Sequence, residues 1–489
     1  MVGPPFQPVI GPSGMFMSTR TPVGRSPLPS AAPEAWAPLV RLARLAGRPL
    51  ERFLHIEAAS GILLLVAAAV ALVWANSPWA ESYARLLHTP LGVRIGTFNI
   101  ERTLEWVVND GLMVIFFFVV GLEIRREIHC GELSEWRRAA LPAAAALGGM
   151  LAPAALYLLF ASASETRSGW GVPMATDIAF AVGILTLLGK RVPAALRVLL
   201  LALAVIDDLG AIVVIALFYS SGIELSGLGV AALGLAFVLA MQRLGVRSKL
   251  AYIAPSVLAW AGIYLAGIHP TIAGVIIGLA TPVRAWLGPD GFLVSVNQEI
   301  EQLTRATPGA LSSHEFAESL RHVDMARREA QSPAESLIEL LHPWVAFGIM
   351  PVFALANAGV AISGDSLAAT SRTVVGAVAL GLIAGKPLGV LGSSWLALRL
   401  RIGVLPAGLT LRHLVVLGVV AGVGFTMALF IAQLAFTDTR LLAAGKLGVL
   451  SASCGAAIVG LVLGRLLLTP VGTAGAAQTA DEAERSTVA

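Results

Sequence analysis

Stretches of about twenty apolar residues recur along most of the 489-residue chain. A stretch of that length can cross the hydrocarbon core of a bilayer as an α-helix. We predict twelve such spans, and an even number places both ends of the chain on the same side of the membrane. The spans run approximately over residues 56–75, 104–124, 139–161, 172–188, 194–219, 225–242, 249–266, 268–283, 339–361, 373–398, 411–435 and 441–468.

The composition agrees with this pattern. Hydrophobic residues make up 56% of the chain and charged residues only 13%, with a mean hydropathy of +0.80. Soluble domains carry about 25% charged residues. A soluble globular protein, a disordered chain and a coiled coil are therefore excluded, and we predict an all-α polytopic membrane protein. The net charge of +4 does not indicate nucleic acid, because the basic residues form short clusters between spans.

Those clusters indicate the orientation. With a cytoplasmic N-terminus, 26 of the 34 Lys and Arg residues fall inside, seven fall outside with Lys446 among them, and Lys386 lies within span ten. This asymmetry obeys the positive-inside rule. Residues 1–52 are rich in proline and lack the apolar core of a signal peptide. We predict a disordered cytoplasmic tail there, a membrane domain over 53–469, and a second cytoplasmic tail over 470–489.

Two loops between spans carry their own pattern. The outside segment 88–103 alternates apolar and polar residues around two glycines, which is typical of a β-hairpin. The inside segment 285–338 is long and acidic, and Ser312 and Glu315 in it have capping-box spacing. Apolar residues then recur at helical intervals, which predicts an amphipathic helix. A solvated linker and a regulatory element both remain open for this segment.

Ionisable residues lie inside the predicted spans, where a charge costs about 2.5–3.5 kcal/mol. Asp177 follows Thr176 early in span four, and Asp207 and Asp208 are adjacent in the middle of span five. Carboxylate oxygens suit a hard cation. Neighbouring helix residues point about 100° apart, so one aspartate can face a cation while the other faces a different partner.

Lys386 can be interpreted in two ways. It could extend its ammonium to the interface, but it lies between Gly385 and Pro387, well before the basic residues that end span ten. A buried ammonium needs a carboxylate nearby, and Asp207 or Asp208 is the expected partner.

Four further residues are weaker candidates. Asp110 and Glu123 lie toward the two ends of span two, where they either line an entrance funnel or merely end a helix. His269 and His342 begin spans eight and nine, a position at which a lone histidine is usually incidental.

The spans with charges are also interrupted. The sequence Gly169-Trp-Gly-Val-Pro173 precedes Asp177, and three glycines interrupt span eleven. Unwound backbone in a membrane is tolerated where protein buries it or it lines a wet cavity, and paired interruptions indicate a transporter site. Asp177 suits the positive N-terminal ends of such half-helices and Lys386 the negative C-terminal ends. Asp177 could thus balance helix ends or bind an ion directly.

These motifs carry a resemblance. Over about residues 52–468 the chain resembles the NhaA-type sodium/proton antiporters. The matching stretches are VNDGLMVIFFFVVGLEIRREI (108–128), PMATDIAFAVGIL (173–185), LALAVIDDLGAIVVIALFY (201–219), LHPWVAFGIMPVFALANAGV (341–360), GKPLG (385–389) and GVGFTMALFIAQLAF (422–436).

The resemblance implies twelve transmembrane helices, with spans three to five and ten to twelve as inverted repeats and spans four and eleven unwound and crossing. It implies exchange of Na⁺ or Li⁺ for H⁺ across the bacterial cytoplasmic membrane, pH-responsive and electrogenic, without a cofactor. Asp207 and Asp208 would bind Na⁺ and protons, with Asp177 and Thr176 nearby and Lys386 in contact with Asp207. The partners would be these ions, the lipid bilayer and a second copy joined through the 88–103 hairpin.

The family's pH-responsive region would include Glu123 and the start of span nine, with Asp110, His269 and His342 as further pH-response or funnel candidates. Here the chain departs from the pattern, because the acid expected before span nine falls at Ile338 and Glu339 comes one residue later. A one-residue shift turns a helical side chain by about 100°.

A rival class is an intramembrane aspartyl protease, in which two carboxylates from different helices share a proton. Asp177 and Asp208 could form such a pair, but Asp207, Lys386 and the broken helices would then have no role. The chain also lacks the GxxxxGK[ST] phosphate loop of an ATP-driven pump. The sequence therefore predicts a secondary transporter and not an enzyme.

Overall fold

The computed structural model describes residues 57–95, 98–220, 222, 224–305, 312–361 and 369–469. The tails predicted over 1–52 and 470–489 lie outside the described residues. The first eight helices are α1 (Glu57–Ala75), α2 (Ala80–Leu87), α3 (Leu104–Cys130), α4 (Trp136–Phe160), α5 (Ser164–Met174), α6 (Ile178–Leu187), α7 (Ala194–Phe218) and α8 (Leu225–Arg243). The next nine are α9 (Lys249–Leu265), α10 (Thr271–Ala280), α11 (Gly288–Arg305), α12 (Ser313–Ala330), α13 (Pro333–Asn357), α14 (Thr370–Arg399), α15 (Leu411–Ala421), α16 (Phe425–Ala435) and α17 (Thr439–Leu467).

The predicted hairpin is present between α2 and α3. Strands β1 (Pro90–Ile95) and β2 (Phe98–Thr103) pair antiparallel, with Leu91 opposite Arg102. The two residues of the turn, 96 and 97, are outside the described part of the chain.

The helices make the chain a multi-pass membrane protein. In the described residues, seven helices are long and apolar enough to cross a bilayer: α3, α4, α7, α8, α13, α14 and α17. Three further pairs pass the same test but are bent, namely α1 with α2, α5 with α6, and α15 with α16. Helices α9 and α10 are apolar and shorter.

The described residues of the segment 285–338, namely 285–305 and 312–338, contain more helix than predicted. The capping box of Ser312 and Glu315 is confirmed at the start of α12. A second capping box, formed by Ser332 and Glu335 with a proline at the first helical position, starts α13 six residues before the predicted start of span nine. Helix α11 was not predicted, because its first turn, Gly288-Pro-Asp-Gly291, is typical of a loop. We call α11 and α12 together the helical insertion.

Close packing of α4 and α14 positions part of the centre of the protein. A Cβ at Gly389 would lie 2.0 Å from the carbonyl oxygen of Gly148, so only glycine permits this approach. A Cβ at the neighbouring Gly149 would lie 2.9 Å from Cγ2 of Val390 and in ordinary contact, 3.7 Å, with Cε of Lys386. The two helices thus hold Lys386 in the interior.

Lys446, counted with the basic residues on the outside, lies within α17, and only 8% of it is exposed. A lysine one or two turns into a span looks like part of a boundary cluster in the sequence, and only packing distinguishes the two.

Candidate functional site

Two breaks in the helices meet at the centre of the protein. Helices α5 and α6 are bent by 48° and α15 and α16 by 45°, each at a gap of three residues. The backbone N–H of Asp177 in the first gap donates to the carbonyl oxygen of Val423 in the second at 2.8 Å. The hydroxyl of Thr176 donates to the carbonyl oxygen of Ala421 at 3.0 Å. Polar groups at the two breaks therefore satisfy one another.

Asp177 lies between the N-terminal ends of two helices. Its Oδ1 accepts from the backbone N–H of Phe180 in α6 at 3.0 Å, and its Oδ2 accepts from the backbone N–H of Thr426 in α16 at 3.1 Å. The Thr426 hydroxyl donates to the same Oδ2. Helix N-termini carry partial positive charge, so this carboxylate neutralises two of them. Of the two roles left open by the sequence, this geometry supports the balancing of helix ends.

Lys386 performs the complementary role at a C-terminal end. Its ammonium donates to the carbonyl oxygen of Met174, the last residue of α5. It also lies 2.7 Å from Oδ2 of Asp207. Exposure is 0% for the Lys386 side chain and 1% for that of Asp207. The contact between Lys386 and the first aspartate of the pair is therefore present.

Asp208 faces a different space from Asp207, as the 100° step along α7 requires. It lines a cavity of about 220 Å³ together with Thr176 and Asp177, while Asp207 is not among the lining residues. Toward the other end the cavity is lined by charged and titratable side chains: Glu123, Arg126, Glu127 and His342.

Both aspartates keep one carboxylate oxygen without a donor. Within the described residues, Oδ1 of Asp207 and Oδ1 of Asp208 have no hydrogen-bond partner although they are buried. A buried oxygen without a partner costs roughly 1–3 kcal/mol, and more when charged. A proton or a hard cation can remove that cost, since either one binds carboxylate oxygen. In the described part of the chain, no three His, Cys, Asp or Glu side chains form a metal-binding group.

A family profile named Na⁺/H⁺ antiporter 1 matches residues 51–463. The chain belongs to this antiporter family. It is 74% identical over 471 residues to the "Na(+)/H(+) antiporter NhaA 2" of Myxococcus xanthus, covering 96% of this chain and all of the relative. It is 56% identical over 467 residues to a protein of the same name from Sorangium cellulosum, covering 95% of this chain and all of the relative. It is also 48% identical over 439 residues to the "Na(+)/H(+) antiporter NhaA" of Janthinobacterium sp., with 89% and 97% covered.

Only some of the other residues predicted from the sequence of this antiporter-family chain line the cavity. Glu123 and His342 line the cavity. Glu339 does not: it is exposed, and its Oε2 accepts from Gln331 at 3.2 Å. Ile338, which occupies the position where the acid was expected, packs against Leu122 of α3. The one-residue shift therefore turns the carboxylate away from the cavity.

Asp110 and His269 face each other away from the cavity. Asp110 Oδ1 lies 3.7 Å from His269 Nδ1, and neither residue is among those lining the cavity. Asp110 lies toward the end of α3 opposite to Glu123, and His269 lies just before α10.

Sequence reasoning missed several polar residues that the structure brings together. Thr426 contacts Asp177, and its signal was its place directly after the Gly422-Val-Gly424 interruption. Asn109 and Asn357 form a buried hydrogen bond of 2.7 Å. Their signal was an amide side chain within an otherwise apolar span, which is costly unless it is paired.

Proposed function

We propose that the chain is a secondary transporter that exchanges Na⁺ or Li⁺ for H⁺ across the bacterial cytoplasmic membrane. The observation that carries this proposal is Asp208, a buried carboxylate that lines a cavity beside the Asp207–Lys386 pair and whose Oδ1 has no hydrogen-bond partner among the described residues. The family and the names of its relatives support the same exchange.

One site with two competing ligands explains the exchange. Asp208 holds either a proton or the cation, with Thr176 and Asp177 lining the same space. A cation that also binds Asp207 displaces the ammonium of Lys386 from it. Loading then releases a proton from Asp208 and a second one from the Asp207–Lys386 pair, so the exchange is electrogenic. No ATP and no cofactor take part in this scheme.

We propose twelve crossings with both termini in the cytoplasm and a membrane domain over 53–469. Seven long helices, three bent pairs and the two shorter helices α9 and α10 supply one crossing each, with α2 outside the bilayer. Spans three to five and ten to twelve then form inverted repeats, and their broken middle members meet at Asp177.

A response to pH fits the residues at the mouth of the cavity. Glu123 and His342 line it, and their protonation changes the charge that a cation meets. Asp110 of α3 and His269 before α10 lie away from the cavity, and Glu339 contacts Gln331 and interacts electrostatically with Lys249. The β1–β2 hairpin is the proposed contact of a homodimer.

Transport accounts for the site better than proteolysis does. An aspartyl protease needs two carboxylates that share a proton, whereas both oxygens of Asp177 accept from helix N-termini and the Thr426 hydroxyl.

The test is reconstitution of the purified chain in acid-loaded proteoliposomes that contain a pH-sensitive dye. Adding NaCl or LiCl should discharge the proton gradient, and adding choline chloride should not. A positive potential imposed inside should change the rate if the exchange is electrogenic. Equal responses to all three salts would reject the proposal.

A further inference from the structure

A second group of buried and half-buried polar side chains surrounds the first turns of α3, about 20 Å along the helix from Glu123. Gln433 Nε2 donates to Glu105 Oε1 at 3.0 Å. Asn357 Nδ2 donates to Asn109 Oδ1 at 2.7 Å. The group, which we call the polar layer, consists of Glu105, Asn109, Asp110, His269, Asn357 and Gln433.

The polar layer contains groups that nothing in the described residues satisfies. Asn357 is 0% exposed and its Oδ1 has no hydrogen-bond partner. Nδ1 of His269, 3.7 Å from the Asp110 carboxylate, and Oε1 of Gln433 are two more buried atoms without a hydrogen-bond partner in the described part of the chain. Buried amide oxygens normally have partners. Several unpartnered polar atoms in one layer therefore indicate a place that takes up water or a cation.

An aromatic layer separates this place from Asp177 and Asp208. The ring of Phe430 lies 5.3 Å from that of Phe117, 6.1 Å from that of Phe353 and 5.3 Å from that of His269. Thr426, Phe430 and Gln433 follow one another at i, i+4 and i+7 on one face of α16. That face leads from Asp177, through the aromatic layer, to Glu105.

The charge of the polar layer suits a monovalent cation. Glu105 and Asp110 bring two carboxylates, and the buried Lys446 interacts electrostatically with Glu105. The exposed Arg102 donates to the Tyr264 hydroxyl at 2.6 Å and also interacts electrostatically with Asp110. Among the buried and half-buried charges, two carboxylates thus stand against one ammonium. Helix α3 is also widened to a π-helix over Val107–Leu112, and such turns are frequent at functional sites.

We propose that the polar layer is a second binding station, in which a partly hydrated Na⁺ or Li⁺ rests on its route between Asp208 and the face of the membrane opposite the cavity. This inference rests on the proposed exchange. Glu105 and Asp110 attract the cation, and the amide oxygens of Asn357 and Gln433 replace part of its water. The aromatic layer keeps the two stations apart in the present conformation.

The first test compares the two faces of the membrane in oriented proteoliposomes. Glu105→Gln should raise the apparent KM about fivefold when Na⁺ is added on the side of the membrane nearer the polar layer. The KM should change little when Na⁺ is added on the side nearer the cavity. Glu101→Gln is the matched control, because Glu101 is exposed on β2 and carries the same charge. Glu105→Asp should restore most of the affinity. A KM that rises on both faces, or on neither, overturns the proposal.

The second test needs no transport. Na⁺ that binds the folded protein raises its melting temperature. In the Asp208→Asn variant, NaCl should still raise the melting temperature above that in choline chloride. In the double variants that also carry Glu105→Gln or Asp110→Asn, this rise should be absent. Absence of the rise in Asp208→Asn, or its persistence in both double variants, overturns the second station. Loss of the exchange itself in the unmodified chain would instead reject the proposed function.

Discussion

Lys386 and Asp207 form an ion pair of 2.7 Å between α14 and α7 that is almost completely removed from the surface. The ammonium also donates to the carbonyl oxygen of Met174, so three segments of the chain meet at one charge. Removing one member of a buried pair leaves the other without a counter-charge. Any ligand that binds Asp207 must therefore change the ion pair of Lys386. This couples binding at the site to helix packing.

Lys386→Ala should lower the free energy of unfolding by about 3–5 kcal/mol, measured by thermal unfolding in detergent. Asp207→Asn combined with Lys386→Gln should recover part of this loss, because neither position then carries an unpaired charge. Lys190→Ala is the control, since that lysine is exposed and its removal should change stability by less than about 0.5 kcal/mol. If the stability losses of the two substitutions are strictly additive in this double-mutant cycle, the result contradicts the contact between Lys386 and Asp207.

Asp208→Asn should abolish Na⁺-driven proton efflux while folded protein still reaches the membrane. The substitution keeps the volume and removes the charge that binds a cation or a proton. Asp290→Asn removes a charge from the exposed start of α11 and should leave the exchange unchanged. Near-normal efflux from the Asp208 variant would show that another group binds the ion.

The same substitution at Asp177 should have a different effect on stability. Both oxygens of Asp177 accept hydrogen bonds from the ends of α6 and α16, so Asp177→Asn should cost about 1–3 kcal/mol. Asp208 Oδ1 has no partner in the described residues, so Asp208→Asn should leave the melting temperature unchanged or raise it. Equal losses in the two variants would contradict the separate roles.

Much of the site follows from the sequence, because a charge inside an apolar span is costly wherever it lies. The spacing of Asp207 and Asp208 also predicts that they face different partners, since their angular step is fixed by the helix. The roles of Asp177 and Lys386 at helix ends follow from the interruptions beside them.

Contacts between distant segments could not be predicted in this way. Asn109 and Asn357 are 248 residues apart in sequence, and no periodicity within either helix indicates the other. The burial of Lys446 depends on how deeply α17 sits among its neighbours. Helix α11 was missed because a Gly- and Pro-containing first turn is usual both in loops and at helix starts.

Close packing of α3 against α10 gives a test of the fold. A Cβ at Gly278 would lie 2.6 Å from the carbonyl oxygen of Phe118, and one at Gly121 would lie 2.7 Å from that of Val275. Small residues let membrane helices approach this closely. Gly278→Ala should therefore destabilise the protein by about 1–3 kcal/mol. Gly183→Ala, with nothing within 4 Å of its Cβ, should be tolerated, and similar melting temperatures of the two variants would argue against this packing.

The helical insertion is tied to the start of α13, which leads to the mouth of the cavity. Glu329 of α12 pairs with Arg247, and the following Gln331 donates to Glu339 at 3.2 Å. Helices α11 and α12 are joined by His322 Nδ1 and Glu299 Oε1 at 2.9 Å. A change in the insertion can thus reach His342, which lines the cavity on α13.

The pair that joins α11 and α12 keeps its carboxylate charged. The hydrogen bond from His322 lowers the pKa of Glu299 below its usual value. A lowered carboxyl pKa gives a stabilising contribution that is present above the ordinary value and is lost only as the pH falls through the lowered one. Glu299 therefore stays ionised between pH 6 and 9.

Replacing residues 290–332 by a short Gly/Ser linker should displace the pH midpoint of the exchange, measured between pH 6 and 9, at an unchanged maximal rate. His322→Gln should displace it in the same direction, because it removes the side chain through which α12 contacts Glu299 of α11. His314→Gln is the control, since His314 lies exposed on the same helix outside the pair. If the insertion is only a tolerated loop, whose length costs little, all three variants keep the midpoint of the unmodified chain.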